Sequence, residues 1–387
     1  MAGRPTIRVL HTESSPSLGG QELRILLEME ELAERGFASF LIARRNTPIL
    51  AEAARRGLAA RPMDIRASVD PLAIAGFIRF LRRERIDVVN AHNSKDGWNV
   101  ALAARICGIP VVRSRHIANP IRAGRISRLI YGPLCRTVMT TSGSIREGMI
   151  AKGVAAGKIV SIPTGIDVDK YAAGVRGRFR SSLGIPMDVP LVGQVAVLRG
   201  SKGPHVFVQA ALRLIAQGSP AWFVLVGEGP SRSVVARLLD ENPSERIVVA
   251  GHRSDIPDVL ADLDVAVLAA CQPEGVPQAV LQAFAARVPV VASDLGGINE
   301  VAIAGKTAFT VPPKDPAQLA EAIGRQLAEP EIARMRAAAG YELARSRFNV
   351  ASMLDDLESL YTRLADRAAG SVAHPFPNAH SSRRNTR

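Results

Sequence analysis

An acid, a tight turn and a helix start stand together at Glu274-Gly275-Val276-Pro277, and a polar amide, Gln282, follows about two helical turns later at ~3.6 residues each. The flanking runs, Asp264 to Ala270 and Val288 to Ala292, are continuously apolar and valine-rich, the pattern of buried parallel strands. Glu274 therefore falls at a strand's carboxyl end, where the strand-to-helix loops of an open α/β sheet bind ligands and helix N-termini offer unpaired N–H groups. A group at the helix start and another on its flank could both reach an elongated ligand, and a nucleotide sugar has that shape. A second candidate is Lys202, in the glycine-bearing loop Arg199-Gly200-Ser201-Lys202-Gly203 after the apolar run Leu191 to Leu198. Its ammonium group can sit on a diphosphate, with Arg199 assisting from the same loop.

Asp262-Leu263-Asp264 has the spacing with which some sugar transferases hold a divalent cation. The two aspartates straddle a helix end and a strand start, which explains them without a metal. No metal is expected; Lys202, Arg199 and helix dipoles would compensate the charge of a diphosphate. His116 closes a strand after Arg113 and Arg115, while His92 and Asn93 close the strand ending at Ala91. A lone histidine is more often packed than functional, so only position raises these.

Strands and helices must alternate to place such loops. Strands fit Ile7 to Leu10, Phe37 to Ala43, Ile86 to Ala91, Val111 to Arg115 and Val138 to Thr141, with helical patterns over Gln21 to Arg35, Leu72 to Glu84, Trp98 to Cys107 and Ser144 to Lys152. A second run has strands at Leu191 to Leu198, Trp222 to Val226, Ile247 to Val249, Val265 to Leu268 and Pro289 to Ala292. Pro163-Thr164-Gly165 and the basic stretch Ala173 to Arg180 read as the linker, and the helical pattern from Glu331 to Leu364 breaks near Phe348-Asn349. A chain of 387 residues suits two domains of roughly 150 to 200 residues each.

With 4% aromatic residues, the chain lacks stacking platforms for single-stranded nucleic acid, and no nucleic-acid motif accompanies its net charge of +13. Cys107, Cys135 and Cys271 are odd in number and far apart, which fits packing roles in a reducing compartment. No signal pattern opens the chain and no apolar run approaches ~20 residues, so a cytoplasmic protein is expected. Basic residues gather in the first half, with Arg79, Arg82, Arg83 and Arg85 beside Phe77, Ile78, Phe80 and Leu81, then Arg113, Arg115, Arg122, Arg125, Arg128 and Arg136. Such a helix either lies on anionic headgroups or packs its apolar stripe on the sheet.

The segments GEGP (Gly227 to Pro230), the Glu274 turn and SDLGGINEV (Ser293 to Val301) resemble the donor domain of the family 4 retaining glycosyltransferases of the GT-B fold. LHTESSPSLGGQELR from Leu10, VVRSRHI from Val111 and SIPTGID from Ser161 are similar to bacterial members that build lipopolysaccharide or other surface glycans. The resemblance implies an α/β fold of two Rossmann-like doubly wound domains facing a cleft: an acceptor domain over 1–170, a nucleotide-sugar donor domain over 171–347, a helix over 348–368 returning to the first domain, and a disordered tail over 369–387. It implies metal-independent transfer, without a cofactor, from a nucleoside-diphosphate sugar to a glycan or lipid-linked acceptor, with peripheral contact at the inner face of an anionic membrane.

By the same resemblance, His116 is an active-site histidine, Glu274 with Gly275, Val276 and Pro277 meets the donor sugar, and Gly19-Gly20 faces the diphosphate, with Gln21 and Glu22 opening the helix behind. The chain departs from the family twice. Val197 stands five residues before Lys202, where the family carries a phosphate-binding arginine, and Gln282 replaces the acid that accepts the ribose hydroxyls. An amide lacks a carboxylate's charge-assisted strength. These departures keep two rivals in view, a sugar-nucleotide epimerase of the same fold and a non-catalytic nucleotide-sugar-binding protein.

Overall fold

The computed structural model describes residues 6–116 and 124–368, and in it the apolar runs form two wholly parallel sheets. The first lobe holds β1 (Arg8–Glu13), α1 (Gly20–Glu34), β2 (Ala38–Ala43), α2 (Pro48–Arg55), β3 (Ala60–Pro62), α3 (Pro71–Arg83), β4 (Val88–Ala91), α4 (Ser94–Cys107), β5 (Val111–Arg115), α5 (Arg125–Ile130), β6 (Thr137–Thr140), α6 (Gly143–Ala151) and β7 (Ile159–Ser161). Its strand order is β3-β2-β1-β4-β5-β6-β7, so the winding reverses between β1 and β4. Crevices at such a reversal open at the strands' carboxyl ends. Every residue of β4 and β6 is buried, as strands covered by helices on both faces require.

The second lobe follows with α7 (Val168–Ala172), α8 (Arg178–Leu183), β8 (Leu191–Val195), α9 (Pro204–Ala216), β9 (Trp222–Val226), α10 (Arg232–Glu241), β10 (Ile247–Gly251), α11 (Ile256–Asp262), β11 (Val265–Leu268), α12 (Gln278–Ala285), β12 (Val290–Ser293), β13 (Phe309–Val311), α13 (Pro316–Ala328) and α14 (Pro330–Arg347). Its order, β10-β9-β8-β11-β12-β13, reverses between β8 and β11. These are the strands that precede Lys202 and Glu274.

The last helix, α15 (Val350–Ala368), packs on the first lobe. Met353, Leu354, Leu357, Leu360, Tyr361 and Leu364 recur at three- and four-residue intervals and share one core cluster with Val9, Leu32, Val88 and Val112. Each buried leucine contributes about 1.5–3 kcal/mol. The two chain crossings run side by side, with Ile166 N donating to Phe348 O at 2.8 Å and Val350 N to Ile166 O at 3.1 Å. A Cβ on Gly165 would lie 2.4 Å from the Asn349 carbonyl oxygen, so only glycine allows the crossings to touch.

Several features differ from the sequence reading. The three-residue edge strands β3, β7 and β13 were missed, since three residues are too few to display a period, and the eight-residue helix α2 was missed as well. The stretch Ala173 to Arg180 is not simply a linker. Arg180 is fully buried in the second lobe, donating to the carbonyls of Pro186 and Val189 at 2.8 Å and to Asp264 Oδ2 at 2.9 Å. A guanidinium whose donors are met in this way can be interior despite its charge. On α3 the apolar stripe of Ala73, Phe77 and Leu81 is buried, while Arg79, Arg82 and Arg83 are exposed, as is Arg85 just beyond. Among the described residues no helix is long and apolar enough to cross a membrane. Residues 369–387 and Arg122 lie outside the described residues, as does the side chain of Arg125.

Candidate functional site

Glu274 lies in the loop between β11 and α12, its carbonyl accepting from Gly297 N at 2.9 Å. Lys202 reaches it from the loop after β8, with Nζ 2.5 Å from Glu274 Oε2; the two side chains are 29% and 13% exposed. Gly203 stitches these loops together. It has φ +62°, and a Cβ there would stand 1.9 Å from the Ala269 carbonyl oxygen. Cys271 N donates to Ser201 O at 2.7 Å, and Gln194 Nε2 to Lys202 O at 2.9 Å. Glu274 Oε1 is buried without a hydrogen-bond partner among the described residues. An unpaired buried acceptor costs about 1–3 kcal/mol, which a ligand hydroxyl would recover. Arg199 is exposed on the Lys202 loop, and so is Val197.

The first lobe supplies the facing wall. A Cβ on Gly275 would lie 3.0 Å from Thr141 Oγ1 and 3.7 Å from the His116 carbonyl oxygen, so the missing side chain lets the Glu274 loop meet the ends of β5 and β6. Glu300 joins the lobes alongside, its Oε2 accepting from Gly143 N and its Oε1 from Ser144 N, each at 3.0 Å. A carboxylate on the first N–H groups of α6 is favoured by hydrogen bonding and by the helix dipole. Glu300 was not singled out from sequence, because the helix it serves lies in the other lobe. Lys202, Glu274 and Gly275 thus lie on one interlobe face, with the backbone of His116 beside them.

His116 ends a line of three histidines on adjacent strands. His11 Nδ1 is 3.1 Å from His92 Nε2, and His92 Nδ1 is 2.9 Å from His116 Nε2. Burial, and then the Arg24 cation, lowers His11 to about 3. His92 and His116 are lowered well below the usual imidazole value, again chiefly by burial. All three are neutral at pH 7. Behind His11, Glu28 Oε1 accepts from Arg24 Nε at 2.6 Å with both side chains fully buried. His11, Glu28 and His92 also bring ligand-type atoms within 4.8 Å of one another. The two imidazole nitrogens face each other across 3.1 Å, the separation of a direct hydrogen bond.

The remaining sequence candidates are held by neighbours. Glu22 Oε2 accepts from Gly19 N at 2.7 Å, a local cap at the start of α1, where Gly20 is the first helical residue. Gln21 Nε2 donates to Glu13 Oε2, and Asn93 Nδ2 to Glu13 Oε1 at 3.0 Å. Glu13, which sequence reasoning missed, is 1% exposed; burial and nearby Asp96 raise its carboxyl to about 6. Its signal was available as an acid closing the first strand. Gln282 Nε2 donates to the Tyr171 hydroxyl at 3.0 Å, so the amide is tethered to α7. Pro277 is buried as the N-cap of α12, and Val276 packs against the second lobe's core. Asp262 is consumed by Gly177 N and Arg180 N, and Asp264 by Arg180 and Leu191 N. Beside Asn93, a cavity of 790 Å³ lined by Ser14, Arg44, Arg66 and Lys95 opens at the carboxyl end of the first sheet.

Two family models match the chain: Glycosyltransferase Family 4 over residues 18–170 and Glycosyl transferases group 1 over residues 189–329. The chain is similar to the Escherichia coli UDP-Gal:alpha-D-GlcNAc-diphosphoundecaprenol alpha-1,3-galactosyltransferase, 28% identical over 313 residues that cover 76% of this chain and 81% of the relative. It is 27% identical to the alpha-D-kanosaminyltransferase of Streptomyces kanamyceticus, over 73% of this chain and 79% of that one. A glycosyltransferase structure from Rickettsia africae ESF-5 superposes with TM-score 0.86 at 18% identity, covering 93% of this chain and 99% of its own. Anabaena HepE in complex with UDP superposes with TM-score 0.82 at 20% identity, over 92% and 100%. At such identities the structural likeness speaks for the fold.

Proposed function

Since the chain belongs to the GT4-type glycosyltransferases of the GT-B fold, we propose that it is a retaining, metal-independent enzyme that moves a sugar from a nucleoside-diphosphate sugar to a glycan or lipid-linked acceptor in the synthesis of lipopolysaccharide or another surface polysaccharide. The observation that carries this reading is the Lys202–Glu274 pair on the face shared with His116. In our reading the donor separates the pair. Its diphosphate takes Lys202, with Arg199 and the Gly19-Gly20 backbone adding donors, and its hexose takes Glu274 and the backbone of Gly275, Val276 and Pro277. Gln282 serves the ribose with one amide where a carboxylate would accept two hydroxyls more strongly.

The acceptor hydroxyl enters from the first lobe and attacks the anomeric carbon on the face the diphosphate leaves. The bond from that carbon to the diphosphate breaks, and the hydroxyl proton passes to the departing phosphate oxygen. Positioning and charge stabilisation by Lys202 carry the step. The engagement of Asp262 and Asp264 within the fold supports a route without a metal, and no further cofactor enters this scheme. The cationic cavity beside Asn93 suits an acceptor bearing phosphate, and the exposed arginines of α3 suit peripheral contact of a cytoplasmic enzyme with an anionic membrane. The UDP and UDP-glucose complexes of HepE and the diphosphoundecaprenol acceptor named for the E. coli relative make these the first compounds to try.

The test is transfer by the purified protein from a panel of UDP-, GDP- and ADP-sugars to a polyprenyl-diphosphate sugar, with and without chelator, the product anomer being read by NMR. Retention unaffected by chelator supports the reading. Inversion, a metal requirement, or isomerisation of the donor without acceptor contradicts it.

A further inference from the structure

The ring centroids of His11 and His92 are 5.4 Å apart with planes at 14°, and those of His92 and His116 are 5.2 Å apart at 30°. Each separation exceeds the corresponding nitrogen–nitrogen distance by the span of two ring radii, so the facing nitrogens lie along the line of centres. These are in-line hydrogen bonds between neutral rings, each needing one proton. The chain then has only two states: every ring protonated on Nδ1, with donation running from His11 toward His116, or every ring protonated on Nε2, with donation running inward.

Two features at the inner end choose between them. His11 Nε2 is buried without a hydrogen-bond partner among the described residues, so the inward state strands an N–H while the outward state strands only a lone pair, the less costly vacancy. Glu28 Oε2, itself unpartnered among the described residues, lies 4.0 Å from His11 Nδ1, with neither side chain exposed; burial raises this carboxyl while Arg24 opposes the rise, and an acceptor oxygen on that side favours a proton on that nitrogen. Arg24 on α1 faces the same end and opposes a second proton on the ring; the Tyr361 ring of α15 also packs on His11, its hydroxyl engaged by Asn90 Nδ2 at 2.8 Å.

We propose that His11 and His92 are positioning residues that lock His116 in its neutral Nδ1–H form, so that it meets a substrate hydroxyl as a hydrogen-bond donor and not as a general base. The catalytic consequence rests on the proposed glycosyltransferase site; the lock is a property of the ligand-free protein. Long-range proton–nitrogen NMR of the full chain labelled at histidine nitrogens reads both tautomer and titration. The expected wild-type result is Nδ1–H at His11, His92 and His116, unchanged from pH 5.5 to 8. His11→Phe keeps a ring but removes the donor and should leave His116 a mixture of tautomers; His11→Asn, whose amide can restore the donor near Nδ1, should return it to Nδ1–H.

Wild-type His116 protonated mainly on Nε2, or titrating near neutrality, overturns the lock, as does a His11→Phe protein that keeps the wild-type tautomer. If His11→Phe does not fold, the wild-type and His11→Asn spectra decide. With transfer as readout, His11→Phe should lower kcat about tenfold with KM unchanged. If the tautomers respond as stated while His116→Phe transfers at the wild-type rate, the assignment of His116 to the site fails and the lock stands.

Discussion

Glu274→Gln removes a charge and keeps the shape, and its effects should split between two ligands. In the ligand-free protein Lys202 is bound to Glu274 at 2.5 Å, so a bare nucleoside diphosphate must break that pair before it gains the ammonium group. Fully exposed pairs are worth up to about 1 kcal/mol, while breaking fully buried ones costs about 3–5. With the partners 13% and 29% exposed, the net worth of this pair is about 1–2 kcal/mol. Freed of it, Lys202 should hold the diphosphate about 5- to 30-fold more tightly. A sugar hydroxyl loses its carboxylate in the same variant, at about 1.5–3 kcal/mol, so transfer should fall about 10- to 200-fold. Calorimetry with the nucleoside diphosphate and a radiolabelled transfer assay measure the two arms. Weaker diphosphate binding with undiminished transfer would refute the opposed roles of Lys202 and Glu274.

Gln282→Glu restores a carboxylate beside the Tyr171 hydroxyl, and donor affinity should rise several-fold in a binding titration. Glu300→Gln weakens the bonds from Gly143 N and Ser144 N that join the lobes; stability should fall by about 1 kcal/mol, and small-angle scattering should report a more open particle. Gly203→Ala forces a Cβ to within 1.9 Å of the Ala269 carbonyl, so loss of more than about 1 kcal/mol in a denaturant melt should accompany loss of donor binding. For pH, His11 is lowered to about 3 in the fold, so the unfolded chain binds the extra proton below its ordinary value of 6.5. His11 should therefore contribute a decline of about 1.4 kcal/mol per pH unit from about 6.5 downward, beside the share of His92 and His116, and His11→Asn should remove its own part of the slope. Glu13 acts in the opposite sense: raised to about 6, it binds its proton more tightly when folded, so about 2 kcal/mol is lost as pH rises from about 4.5 to 6, and Glu13→Gln should abolish that change.

The parallel strands were legible because covering them on both faces demands unbroken valine-rich runs, and from those runs the carboxyl-end positions of Glu274, Lys202 and His116 followed. Edge strands such as β3 lack that demand, and Arg61 and Pro62 gave no hint of pairing. The pairing of Lys202 with Glu274 was not legible, since 72 residues separate them and their loops are brought together by contacts of distant residues, Gly203 on Ala269 and Cys271 N on Ser201 O. The same holds for His11, just past the expected first strand and unmarked until the ends of β4 and β5 bring His92 and His116 beside it. Arg180 misled for the converse reason, because charge in a sequence reads as exposure until carbonyl partners appear.

A crystal structure of the protein with an unhydrolysed nucleoside-diphosphate sugar would decide whether the interlobe face is the place of transfer. The diphosphate should lie within hydrogen-bond distance of Lys202 and the hexose on Glu274, with the ligand-free ion pair broken. A nucleotide sugar bound elsewhere, with Lys202 still held by Glu274, would contradict that assignment.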